Sequence, residues 1–239
     1  RAAAEKLMAA GCSAVSTRLD LTDASSIEAT RAFILKKFGR LDALVNNAAV
    51  CFNDPTLYGR VPHTPFDKQA RITMDVNYHG TLAVTRAMLP MLRASKASPR
   101  IVMVASSAGR LRGSPAIQAA MQAHDLNVRS LSAMMEDFVK SAEGGTHLDK
   151  GWPNTGYGVS KMGLIALTRV LAREEPKIMV NSADPGYCAT DQNANQGTIS
   201  AEEGSATQAL LAHAPFGDNG EFVSGEHWYQ GRVIPWSYQ

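Results

Sequence analysis

Asn154-Thr-Gly-Tyr-Gly-Val-Ser-Lys161 sets a phenol and an ammonium four residues apart, and residues 162–173 behind it read as a helix. On a helix, side chains at i and i+4 lie on one face. A cation held beside a phenol favours the phenolate, so the pKa of Tyr157 is expected to fall toward neutrality. Such a tyrosine passes protons at working pH. Chance supplies about 0.2 Tyr-x-x-x-Lys matches in a chain of this composition, so the pair acquires meaning only from its surroundings.

The surroundings alternate. Residues 2–10 are alanine-rich helix formers closed by Gly11, and residues 13–21 alternate in the manner of a strand. Ser25-x-x-Glu28 has the pattern of a capping box, ahead of a helix that Gly39 stops. Residues 41–46 form a short apolar run suited to a buried parallel strand. Residues 50–65 are a proline-containing loop, and residues 66–95 a long helical stretch with Pro90 near its end. Residues 100–105 are a second buried strand. Residues 110–154 interrupt the rhythm with helical patches at 115–123 and 127–142, an insertion ahead of the helix bearing Lys161. Strands are expected at 177–183 and 220–225, a helix at 201–213, and a polar loop at 191–198. Alternation of this kind predicts an α/β fold, a parallel sheet with helical crossovers.

Composition narrows the class. The 239 residues are 45% hydrophobic and 19% charged, with a net charge of +2. That charge is too mild to favour nucleic acid or a membrane surface. Cys12, Cys51 and Cys188 are far apart and odd in number, so neither a metal site nor a disulfide framework is expected, and a reducing, cytoplasmic setting is. No apolar run reaches the ~18 residues of a membrane span.

Functional residues cluster at strand ends, where open α/β sheets hold ligands. Asp20-Leu21, Asn46-Asn47, Ser106-Ser107 and Asp184-Pro185-Gly186 each follow an expected strand. With Tyr157, Lys161 and Asn77 in Val-Asn-Tyr-His-Gly-Thr, their order resembles the short-chain dehydrogenase/reductase family, and within it the NADPH-dependent carbonyl reductases. Leu44-Val-Asn-Asn-Ala48, Lys150-Gly-Trp-Pro153, Glu221-Phe-Val-Ser224 and the long segment between Ser107 and Tyr157 carry the closer likeness.

The resemblance implies a Rossmann-type doubly wound parallel sheet in one dinucleotide-binding domain spanning residues 1–239, and hydride transfer from NADPH to the carbonyl carbon of an aldehyde, ketone or quinone. In it Tyr157 is the general acid, Lys161 tunes Tyr157 and holds the nicotinamide ribose, Ser107 bonds the substrate oxygen, and Asn77 holds a water leading to Lys161. Ser106 or Ser107 also suits a turn or cap, and Asn77 a helix kink. Asp20 and Leu21 resemble the acid–aliphatic pair that meets the adenine, and Asn47 the asparagine that steadies the sheet beside the ribose. Pro185, Gly186, Cys188, Ala189 and Thr190 resemble the segment along the nicotinamide carboxamide. Phe52, Gln69 and Gly156 resemble the carbonyl pocket, to which Trp152, Met134 or Met135, and Tyr187 could add apolar walls; core packing is the competing reading of the methionines. A small-molecule partner and a monomer are expected, the insertion covering helices through which family members pair.

Two features depart from the family. Ala49 stands where glycine is usual, and Asp184 before Pro185 is unusual. The family also opens on a strand and a Thr-Gly-x-x-x-Gly-x-Gly turn that cradles pyrophosphate. This sequence starts at Arg1 inside a helical pattern, so roughly 50 residues are expected to precede it. The competing expectation is a non-catalytic fragment or a cofactor-free binding protein on the same fold.

Overall fold

In the computed structural model, which describes residues 2–52, 64–213 and 223–237, most of this alternation is realised. Helix α1, Ala2–Ala9, is followed by Gly11 in the left-handed region. Helix α2, Ala24–Phe38, ends at Gly39 with φ 71°, a conformation that glycine adopts freely. Its cap is Asp23, whose Oδ1 accepts from Ser25 N at 2.9 Å, so the Ser25 capping box is not the one formed. A carboxylate two residues earlier takes the orphan N–H first.

Residues 13–21 are not a strand. An extended segment becomes β structure only through ladder hydrogen bonds, and among the described residues none pairs with it. Val15 and Leu19 stand 47% and 38% exposed.

The sheet has the order β1-β2-β3-β4-β5. Strands β1 (Ala43–Asn46), β2 (Arg100–Val104), β3 (Met179–Asp184) and β4 (His227–Tyr229) run parallel; β5 (Arg232–Val233) returns antiparallel. The last parallel strand therefore lies beyond residues 220–225, of which 220–222 fall outside the described residues. β1 is an edge, and Val45 on it is 43% exposed.

Between β1 and β2 run α3 (Phe66–Met74), a π-helical turn (Asp75–Gly80) and α4 (Thr81–Ala94), which continues past Pro90. Between β2 and β3 run α5 (Pro115–Gln122), α6 (Val128–Glu143) and α7 (Gly156–Glu174); α8 (Ala201–His213) leads toward β4. Side chains alternate along a strand. Ile101 and Met103 of β2 join the large core shared with α4, α6 and α7, whereas Val102 packs with Ala183 and with Leu211 of α8. Helices thus cover both faces of a mostly parallel sheet, the doubly wound arrangement.

The insertion is packed, not loose. Met135 and Phe138 are fully buried, and Trp152 stacks edge-on to Phe138 while its Nε1 donates to Asp137 at 3.0 Å. Arg71 of α3 bonds both Glu136 and Glu143 of α6 at 2.9 Å.

Candidate active site

β2 delivers the chain to the site at Val104, and the turn Ser107–Gly109 follows. Trp236 from the far end of the chain clamps that turn, its Nε1 donating to Gly109 O at 2.9 Å. Gly109 is required: a Cβ there would stand 2.7 Å from the Lys161 carbonyl carbon. Helix α7 therefore lies directly on the turn. Its first turn is capped by Thr155, whose Oγ1 accepts from Gly158 N at 3.0 Å, and it carries Tyr157 and Lys161 on one face.

Lys161 is 2% exposed. Its Nζ donates to Val104 O at 2.7 Å and lies 5.5 Å from the centroid of the Tyr157 ring. Burial pulls the Lys161 pKa down to about 8, against the upward influence of Cys51 and Asp184. Burial also pushes Tyr157 up to about 12, helped by Cys51 and Asp184 and opposed by a hydrogen bond from Ser106. The phenol thus stays protonated at neutral pH, and the expected fall toward neutrality does not occur. Desolvation of the phenolate outweighs the helical neighbour.

The two serines after β2 are set differently, Ser106 half-buried and Ser107 exposed. Ser106 acts on the Tyr157 phenol, lowering its pKa, and its Oγ accepts from Ala108 N at 3.2 Å. Ser107 starts the 3-10 turn and is exposed. The tight turn rotates the second serine outward.

Asn77 lies fully buried in the π-helical turn. Its Oδ1 accepts from Val50 N at 2.8 Å, and its Nδ2 donates to Val50 O at 2.9 Å and to Ser160 Oγ at 3.1 Å. It staples the loop after β1 to α7, one residue before Lys161. That loop brings Cys51, for which the sequence carries no motif, close enough to act on both Tyr157 and Lys161. Burial raises the Cys51 thiol pKa, so it stays a neutral thiol.

A short chain dehydrogenase family model matches residues 1–124. Carbonyl reductase [NADPH] 1 of Bos taurus is 36% identical over 248 residues, covering 99% of this chain and 84% of that protein. The chain belongs to the short-chain dehydrogenase family. This dehydrogenase is an oxidoreductase of the carbonyl reductase type. Among solved structures it is similar to salutaridine reductase from Papaver somniferum, with a TM-score of 0.82, 29% identity, and coverage of 95% of this chain and 86% of that one. Menthone neomenthol reductase from Mentha piperita gives a TM-score of 0.78 at 27% identity, covering 96% of this chain and 85% of that one.

The remaining expected residues of the dehydrogenase divide. Asp20 spends its Oδ1 on Thr22, accepting from N at 2.9 Å and from Oγ1 at 2.7 Å, which lowers its pKa. Leu21 packs on the π-helical turn; a Cβ on Gly80 would meet the Leu21 Cβ at 2.7 Å. Asn46, not Asn47, ties the sheet to α4, donating to Thr85 Oγ1 at 3.0 Å, while Asn47 is exposed. Pro185 and Gly186 turn the chain out of β3, Gly186 at φ 76°. Cys188 bonds back to Pro185 O at 3.2 Å, Ala189 N donates to Ile199 O at 2.8 Å, and Thr190 N donates to Asn193 Oδ1 at 3.1 Å. The polar loop is therefore folded onto itself. Gly156 lies close against α3: a Cβ on it would stand 3.4 Å from Ala70 Cα and 3.9 Å from Gln69 O. Gln69 turns its amide to Thr64 O. Phe52 is half-buried. Met135 and Trp152 are core residues, and Tyr187 is 48% exposed. Among the described residues no group of His, Cys, Asp and Glu could hold a metal, and no helix is long and apolar enough to cross a membrane.

Proposed function

We propose that this dehydrogenase reduces small carbonyl compounds (aldehydes, ketones or quinones) with NADPH, Tyr157 giving the proton. The observation that carries the reading is the buried Lys161 ammonium, 5.5 Å from the centroid of the Tyr157 ring. The residues fit a nicotinamide. An ammonium has three N–H donors, and Val104 O takes one of those on Lys161, leaving donors suited to ribose hydroxyls. Pro185, Gly186, Cys188, Ala189 and Thr190 would lie along the carboxamide. When bound, the nicotinamide supplies the hydride.

The chain supplies the rest. The Ser106 hydroxyl and the neutral Tyr157 phenol both donate to the carbonyl oxygen, polarising it as charge develops. Tyr157 then passes its proton to that oxygen. Lys161, positively charged, stabilises the phenolate left behind. Asn77 positions Lys161 through Ser160 and Val50. Phe52, Gln69 and Gly156 are proposed to line the pocket.

The test is NADPH oxidation with a quinone or an aldehyde, followed at 340 nm on the order of minutes. Tyr157→Phe keeps the ring and removes the proton; turnover is expected to vanish, and unchanged turnover would refute the assignment. The dehydrogenase is further proposed to act as a cytoplasmic monomer, since α6 packs over both α3 and α7. A dimer mass in sedimentation would overturn the monomer.

A further inference from the structure

Asp184 ends β3 and is 6% exposed. Along β3, Val180, Ser182 and Asp184 share a face, and Val180 packs in the core that includes α7. On β4, His227 and Tyr229 are the register partners of Ser182 and Asp184. Ser182 Oγ and His227 Nδ1 lie 2.9 Å apart. On the other side of β3, Ala183 pairs with Val104, the residue whose carbonyl holds Lys161 Nζ at 2.7 Å. Asp184 therefore reaches the strand end at the level of the lysine.

A buried ammonium is costly without an opposite charge nearby. Among the described residues two groups act on Lys161 with that sign, the Cys51 thiol and the Asp184 carboxylate. Burial keeps the thiol protonated, which leaves Asp184 as the acid acting on Lys161. His227 does not compete for it: burial holds its pKa down to about 4, and the ring is neutral. The other described titratable groups near Asp184 include Tyr157, Cys188 and its cross-strand partner Tyr229, with Glu203 acting on Cys188 from α8.

We propose that Asp184 is a positioning residue for the reduction, its carboxylate being the counter-charge that keeps Lys161 an ammonium beside Tyr157. The inference rests on the Tyr157–Lys161 reading above. It also accounts for an acid in front of Pro185-Gly186, because Oδ1 doubles as the acceptor for Gly186 N at 2.9 Å and sets the turn.

Those two roles separate by mutation. Asp184→Asn keeps an acceptor for Gly186 N and removes the charge; Asp184→Glu keeps the charge. Lys161 is titrated directly, without cofactor, by NMR of 13C-lysine protein, its signal assigned by absence from Lys161→Arg. In Asp184→Asn the midpoint is expected to fall by about one pH unit, the size a single nearby charge exerts within a protein. The alkaline limb of kcat/KM should move down with it, so that activity drops about 3- to 10-fold at pH 8 and stays within about twofold at pH 6. Asp184→Glu should keep the wild-type midpoint. An unmoved midpoint in Asp184→Asn, a Glu variant shifted as far as the Asn variant, or an Asn loss equal at all pH values would each overturn the proposal. If instead Tyr157→Phe turns over normally while the Lys161 midpoint shifts as expected, it is the assignment of the acid that fails and not the counter-charge.

Discussion

Replacing Lys161 by methionine should make the protein more stable and catalytically dead. Burial lowers the Lys161 pKa from 10.5 to about 8. At 1.36 kcal/mol per unit, that shift corresponds to roughly 3 kcal/mol of destabilisation while the folded lysine is charged. Methionine fills similar space and carries no charge. Against this stands the bond to Val104 O, whose loss costs about 1–2 kcal/mol. The balance at pH 7 is about 1–2 kcal/mol in favour of Lys161→Met, or about 3–6 °C in melting temperature for a chain of this size. The pH dependence gives the sharper signature. Between pH 8 and 10.5 the unfolded lysine retains a proton that the folded one has released, so wild-type stability rises with pH in that window. The variant lacks this rise, and its advantage should close by about pH 10.5. Urea unfolding at pH 7, 9 and 10.5 measures it, and turnover should fall at least ~100-fold. A variant that unfolds more easily at pH 7 would show that Lys161 is stabilising, and an advantage that persists at high pH would show that burial does not govern its charge.

Two further outcomes are expected. Ser106→Ala should lower kcat/KM by about 10²–10³, the range for removing one donor from a developing oxyanion, while Ser107→Ala stays within about twofold; the reverse pattern would return the role to Ser107. His227, held near pKa 4 against an ordinary 6.5, stays neutral while the unfolded chain gains a proton, so roughly 3 kcal/mol of stability should be lost as pH falls from 6.5 to 4. His227→Gln should remove that part of the acid loss, and identical acid curves for the two proteins would sink the assignment.

Elements whose hydrogen bonds close locally are legible in the sequence. α2, α5, α6 and α8 follow from periodicity and stop signals, and Gly39 ends α2 in the left-handed conformation its position suggests. Residues 13–21 mislead because alternation records which side chains are apolar, not whether a ladder partner exists. The nearness of Tyr157 to Lys161 is legible because a four-residue spacing on a helix places both on one face, as the structure has them. Ser106 and Ser107 are not separable, since both are small hydroxyls and only the turn geometry decides which one faces the phenol. Asn46 and Asn47 pose the same problem on an edge strand, where adjacent side chains point opposite ways. Cys51 sits in a loop with no periodicity, and only the fold brings it to the lysine. The direction of the Tyr157 shift is hidden from the sequence because burial is a tertiary property that a four-residue spacing does not contain.

The π-helical turn shows how local irregularity serves the site. In an α-helix each residue advances the side-chain direction by about 100°, so one extra residue in a turn redirects everything after it. Asp75–Gly80 forms such a wider turn between two regular helices, and α4 still packs its apolar side, Leu82, Val84, Met88 and Leu92, into the core. The turn lets Asn77 point inward without spoiling that face. Inside, its amide bonds to Val50 N, Val50 O and Ser160 Oγ, so burying it leaves no uncompensated group. What the amide gains is reach across two elements: the loop holding Cys51 and the residue adjoining Lys161 are fixed to one another through a single side chain. Lys161 is then held at Val104 O by the strand, at Asn77 through Ser160, and at Gly109 by close backbone contact. Those contacts set where the ammonium sits, the proposed Asp184 counter-charge answers for its sign, and Tyr157 takes its place beside it from the same helix.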